Sequence, residues 1–259
     1  MPSTVVSPDG TELGFETVGD GPPMLLVHGA AADRRRWAPV QEQLARHYRV
    51  HMLDRRGRGL STREAPAYDI WREAEDIAAV AEYLGGDVFV VAHSYGALCA
   101  LHAAQITGAF GRLVAYEPPR PEPGGFVIPP ETVARMRATA DPEEILTIFV
   151  REALQLPQSA VDDVRGTDFW RTRVEAAHTI PREVECVEAF VADERLGKIS
   201  VPVRLFAGTE SPACFRLAVD AVVERVPGAD VVPMRGQGHQ AMDFDPEQFV
   251  AAVQAFEAA

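Results

Sequence analysis

Six short, predominantly apolar runs recur along the chain, at residues 24–27, 50–53, 88–92, 113–116, 203–207 and 231–234. A strand with one face in water alternates apolar and polar side chains, whereas a strand covered on both faces does not, so such runs mark the interior of a parallel sheet. Parallel neighbours cannot be joined by tight turns, and helical patterns stand between most of these runs. The clearest is 69–84, where Ile70, Ala74, Ile77, Ala81 and Leu84 step by fours and threes along one face before Gly85-Gly86 stops the helix. Near the start, two alternating segments, 3–6 and 12–18, flank Pro8-Asp9-Gly10 as in a hairpin. The fold class expected is α/β: a mostly parallel central sheet of about eight strands covered by helices on both faces, with ligands at the carboxyl ends of the strands.

One segment breaks the alternation. Residues 118–200 hold no strand pattern; a Pro/Gly-rich entry, EPPRPEPGGFVIPP, leads into helical stretches such as 142–154 and 169–178. An insertion of this length before the last two core strands is far longer than an ordinary connection and reads as a helical lid over a site. The expected organisation is a core of 1–117 and 201–259 with a cap of 118–200. Within 259 residues, 47% of them hydrophobic, one sizeable core with such an elaboration can be buried.

Charge and composition exclude several partners. The formal charge of −13 repels phosphate backbones and anionic lipid, so neither nucleic acid nor a membrane surface is expected. The opening MPSTVVSPDG has neither the basic nor the apolar region of an export signal, and no uninterrupted apolar stretch is long enough to span a bilayer, so a cytoplasmic location is expected. Cys99, Cys186 and Cys214 fit no metal knuckle or disulfide framework and read as small buried apolar side chains.

The chemistry concentrates where the third apolar run ends, in AHSYG at 92–96. If a strand ends at Ala92 and a helix starts at Ala97, Ser94 occupies a tight strand-to-helix turn in which the residues two positions away must be small, as Ala92 and Gly96 are. That turn presents the Ser94 hydroxyl at the carboxyl edge of the sheet, with the helix start behind it favouring negative charge. A serine needs a base, and His239, in the glycine-flanked loop RGQGHQ after the final strand and before a helix at 246–256, stands at the same edge. After the first apolar run, His28-Gly29-Ala30-Ala31-Ala32 offers the Ala30 N–H, and the elbow offers the Tyr95 N–H, as donors to a developing oxyanion. His93, next to the serine, is expected to face away and support the sheet.

Taken together, HGAAAD at 28–33, DRRGRGLS at 54–61, AHSYG at 92–96 and GQGH at 236–239 resemble the α/β-hydrolase family, in its order and over nearly the whole chain. Ala92 departs from the glycine that usually begins the family's elbow. The resemblance implies that 54–61 is mainly a structural turn, its arginines surface or local salt-bridge groups. It also implies a carboxylate to hold His239, in most relatives an aspartate at the position that Ser211 occupies here. Two substitutes remain: Glu117, at the end of the strand after the elbow helix, where some relatives use a glutamate, and Glu210, one residue early. Glu117 takes precedence.

The function expected is a serine hydrolase acting through an acyl-enzyme on a small, fairly apolar ester, with Ser94 as nucleophile, His239 as base and Glu117 or Glu210 as acid. His28, Phe126, Trp170 and His178 are candidate substrate contacts; Trp170 and His178, eight positions apart on one helix, share roughly one face. Asp33 and Arg34 read as a helix cap and its neighbour. No metal and no cofactor are expected, and a homo-oligomer is compatible with the sequence. Relatives with the same residues act as perhydrolases, thioesterases, carbon–carbon bond hydrolases or lyases, and the missing aspartate at Ser211 keeps a weakly catalytic small-molecule receptor as the alternative outside enzymes.

Overall fold

The computed structural model describes residues 2–256, apart from the side chains of Ala160 and Cys214, so the expectation for Cys214 lies outside the described residues. Eight strands form one sheet in the order β1-β2-β4-β3-β5-β6-β7-β8. They are β1 (Pro2–Val6), β2 (Glu12–Val18), β3 (Pro23–Val27), β4 (Arg49–Leu53), β5 (Val88–His93), β6 (Phe110–Tyr116), β7 (Val203–Gly208) and β8 (Asp230–Met234). The hairpin β1–β2 and the pair β2–β4 are antiparallel, and every other pairing is parallel.

The apolar runs are continuous because successive residues enter different cores. On one face Leu25, Val27, Val90, Ala92, Leu113, Ala115 and Leu205 pack under α2 (Ile70–Tyr83), α3 (Tyr95–Ala103) and α9 (Ala213–Val223). On the other, Met24, Leu26, Phe89, Val91, Val114, Tyr116 and Phe206 meet α1 (Ala38–Leu44) and α11 (Pro246–Gln254). The expected helix at 69–84 is α2, with Asp69 as its N-cap accepting from the Arg72 N–H at 3.0 Å. Its flank carries buried Glu73 and Asp76 as well as the apolar stripe.

Between β6 and β7 lie α4 (Pro130–Ala138), α5 (Pro142–Glu152), α6 (Gln158–Val164), α7 (Asp168–Ala176) and α8 (Ile180–Glu188), and no strand occurs there among the described residues. These helices have a core of their own, built on Met136, Leu146, Ile148, Trp170, Ile180 and Val184, and Ala31 from the loop after β3 joins it. A short α10 (Ala241–Phe244) precedes α11. Cys99 is buried as expected, but Cys186 is only half-buried, because α8 turns that side chain toward a surface cleft. No helix among the described residues is long and apolar enough to cross a membrane.

Register brings the strand ends level. Val27 pairs with Ala92, His93 with Tyr116, and Tyr116 with Phe206. The loops that leave β3, β5, β6, β7 and β8 therefore start along one rim.

Candidate active site

Ser94 is the single residue between β5 and α3, at φ 55° and ψ −126°. A non-glycine residue there costs on the order of 1–3 kcal/mol and persists only where its surroundings hold it. They do: the Ser94 N–H donates to the Tyr116 carbonyl at 2.8 Å, and its own carbonyl accepts from Ala97 N–H at 2.9 Å. The close approach also explains the small neighbours. A Cβ on Gly96 would collide with the His28 carbonyl, and one on Gly29 would lie 2.8 Å from the Ser94 Cβ. Ala92, where glycine is usual, buries its methyl completely in the core beneath α3.

Glu117 leaves β6 with φ 45° and is 1% exposed. Its Oε1 accepts from the Gly208 N–H at 2.7 Å, which aims Oε2 at His239 Nδ1, 2.6 Å away. Around His239 the ring of Phe215 stacks at 4.1 Å between centroids, and His93 Nε2 donates to the His239 carbonyl at 2.7 Å. The Tyr116 hydroxyl donates to the Gly238 carbonyl and accepts from Ala241 N–H at 3.3 Å, so the loop is clasped on both sides of the histidine. Burial, and then the neighbouring His239, push the pKa of His93 well down, so it stays neutral and keeps to this supporting contact.

Glu210 does not take part. It is exposed, with a 3.4 Å contact to Thr209 Oγ1, because the chain turns outward at the end of β7. Ser211 presents a buried hydroxyl without a hydrogen-bond partner among the described residues.

Two compartments meet at Ser94. A slot of about 40 Å³ is walled by Val127, Ile128, Val184, Val187 and Phe215, with Ala30 and Tyr95 at the serine end. A chamber of about 330 Å³ runs the other way past His239, Phe149, Trp170, Arg36 and Arg173. Tyr95 is the first residue of α3, so its N–H has no acceptor within the helix. The loop bearing Ala30 is pinned by Arg55, whose Nε donates to the His28 carbonyl at 3.0 Å and whose Nη2 donates to that of Gly29 at 3.2 Å. Arg55 is itself held at 2.7 Å by Glu73 of α2 and by Glu183 of α8, all three fully or almost fully buried. The arginines of the 54–61 turn thus form local salt bridges in the interior, where a surface location was the other expectation. Asp33 caps the 3₁₀ turn Arg34–Trp37 as expected, accepting from Arg35 N–H at 2.8 Å.

Three expected substrate contacts fall outside the compartments. His28 is completely buried below the rim, with Nδ1 2.8 Å from the Gly29 carbonyl and Nε2 accepting from Arg55 N–H at 3.2 Å. Burial, then Arg55, push its pKa well down, so it acts as a neutral strut. Phe126 is 60% exposed: Glu188 Oε1 accepts from the N–H groups of both Val127 and Ile128, drawing those two inward and leaving Phe126 outside. His178 is exposed in a cleft beside Met136 and Arg137, because α7 ends at Ala176 and the chain tightens into the 3₁₀ turn Ala177–Thr179, breaking the face shared with Trp170. Trp170 does line the chamber, its indole N–H donating to Glu143 Oε1 at 3.1 Å. The structure adds Arg36, Arg173 and Phe215, none of them singled out in sequence: each stands in an ordinary helical pattern with no local feature to mark it.

Residues 24–252 match the model of the alpha/beta hydrolase family, and the chain belongs to that family. Among solved structures it is similar to an alpha/beta hydrolase from Sphaerobacter thermophilus, at 32% identity and a TM-score of 0.82, covering 98% of this chain and 100% of that one. It aligns with the N-formylmaleamate deformylase of Pseudomonas putida at 39% identity over 116 residues, spanning 43% of this chain and 42% of that protein. With the pimeloyl-[acyl-carrier protein] methyl ester esterase of Aeromonas salmonicida the identity is 26% over 254 residues, spanning 94% of this chain and 98% of that protein.

Proposed function

We propose that the protein is a serine hydrolase that cleaves a small carboxylic ester through an acyl-enzyme. The observation that carries this reading is the Glu117–His239 hydrogen bond of 2.6 Å, with His239 facing the same chamber as the elbow serine. Ser94 Oγ attacks the ester carbonyl while His239 Nε2 takes its proton; the bond to the alcohol then breaks and His239 returns the proton to the leaving oxygen. Water attacks the acyl carbon next, gives a proton to His239, and Ser94 Oγ departs with that proton, releasing the acid. The Ala30 and Tyr95 N–H groups hold the oxyanion. Glu117 accepts from Nδ1–H and stabilises the imidazolium. The inserted helices act as the lid that excludes water: α5 and α8 wall the slot, and α5, α6 and α7 wall the chamber.

Two relatives, named as a methyl ester esterase and a deformylase, support acyl transfer at this site. The receptor alternative drew on the serine at position 211, and the glutamate on His239 favours the enzyme instead. A fluorophosphonate probe tests the reading. Prompt labelling of the wild type that disappears in Ser94→Ala is expected, and an unlabelled, folded wild type would overturn it.

A further inference from the structure

The chain carries a formal charge of −13, yet the chamber beside Ser94 is lined by no acidic residue. Besides Ser94 and Trp170, its polar lining consists of Arg36, Arg173, His93, His239 and Gln240. Arg36 is already neutralised by Asp243. Arg173 has no carboxylate within ion-pairing distance among the described residues: its Nη1 donates to the Ala31 carbonyl at 3.2 Å and its guanidinium lies 4.0 Å over the ring of Phe169. On its outer side Arg173 shares a surface cleft with Asp33, Asp168 and Asp243, but these are ion-paired to Arg35, Arg171 and Arg36 respectively, and Asp243 and Asp33 favour the Arg173 cation only from beyond ion-pairing distance. Burial, then the charge of Arg36, lower its pKa to about 9, which still leaves a cation at neutral pH. A partly buried cation without a counter-ion is disfavoured, and an anion entering the chamber offsets that cost.

We infer that the substrate bears a free carboxylate that pairs with Arg173 while its ester carbonyl sits at Ser94. The inference rests on the hydrolase reading above and names its substrate class, a half-ester of a short dicarboxylic acid. A guanidinium fork matches two carboxylate oxygens. One unmatched positive charge suits a monoanion better than a phosphate dianion. The spacing also fits a short chain, since Arg173 holds the Ala31 carbonyl and the proposed oxyanion donor is the N–H of the adjacent Ala30, whose Cα is a single step of ~3.8 Å away. The small apolar slot on the other side of Ser94 has room for a methyl- or ethyl-sized group.

The test compares kcat/KM for monomethyl glutarate and its uncharged counterpart methyl valerate in the wild type, Arg173→Met and Arg173→Lys. A wild-type preference for the half-ester of at least ~10-fold is expected, falling to one or below in Arg173→Met mainly through KM and partly restored in Arg173→Lys. Glutarate should inhibit hydrolysis of methyl valerate competitively, and inorganic phosphate at equal concentration should not. An equal or reversed wild-type preference, a ratio unchanged in Arg173→Met, or stronger inhibition by phosphate would each overturn the inference. If Arg173→Met does not fold, the wild-type inhibition pattern decides. Failure of the hydrolase reading looks different: neither ester turns over and the fluorophosphonate does not label. In that event, calorimetric binding of glutarate to the wild type supports the carboxylate site, and its absence refutes it.

Discussion

Replacing Glu117 with Gln keeps the shape of the side chain and removes one acceptor and one charge. In the native protein Oε1 serves the Gly208 N–H at 2.7 Å and Oε2 serves His239 Nδ1 at 2.6 Å, so both oxygens are committed to donors. A Gln has one carbonyl for two donors. If it stays on Gly208, its NH₂ faces Nδ1 and forces the ring proton onto Nε2, where it blocks the nitrogen that accepts from Ser94 in the proposed mechanism. The turned amide would set NH₂ against the Gly208 N–H, a buried pair of donors. The lost charge can be sized separately: a carboxylate and an imidazolium ~4 Å apart at an effective dielectric of ~20 attract by about 4 kcal/mol, roughly 10³ in rate. Tautomer and charge together place the expected loss in kcat at about 10³–10⁴-fold. The assay is kcat for p-nitrophenyl acetate, with circular dichroism to verify the fold and Glu210→Gln as control. A Glu117→Gln enzyme within ~10-fold of wild type, or an equal collapse in Glu210→Gln, would refute the assignment of the acid.

Glu183→Ala leaves Arg55 and Arg58 buried without the carboxylate that both engage, and a loss of about 3–5 kcal/mol in unfolding free energy is expected; a change under ~1 kcal/mol in denaturant titration would contradict the network. Acid should also destabilise the protein. Burial, then Arg49, bring the pKa of His51 to about 4, and His28 and His93 are lowered well below the ordinary 6.5. Between about pH 4 and 6.5 the unfolded chain therefore binds protons that the native histidines refuse, so stability is complete above pH 6.5 and lost as pH falls. Asp76, raised by burial to about 6, opposes this below pH 6, so the His51 share is isolated by difference: Tm of the wild type should fall more steeply than that of His51→Gln from pH 7 to 5. Parallel Tm curves would reject this account.

Much of the architecture was legible because it follows from local periodicity. The apolar runs, the stripe of α2 and the turn at Ser94 each depend on residues close together in the chain, and their observed bounds differ from the expected ones by a few residues at most. Local patterns failed where a helix ended early or a backbone contact redirected the chain. His178 left the face of Trp170 when α7 tightened at Ala177, and Phe126 was turned outward by the two amides bound to Glu188.

The choice between Glu117 and Glu210 belonged to neither residue's neighbourhood. Both are carboxylates at strand ends, and one reaches His239 because β6 pairs with β7 in a register that sets the Gly208 N–H beside Glu117. Arg173 is a sharper case, one arginine among many until the packing of α7 over the loop after β3 deprives it of a counter-ion. From the sequence alone came which segments are strands and helices, and the turn that isolates Ser94, since steric and hydrophobic demands on neighbouring residues are written in their order. Which charges find partners and which are left facing the chamber was decided only when distant segments met, because electrostatic pairing acts over a few ångströms of space and takes no account of distance along the chain.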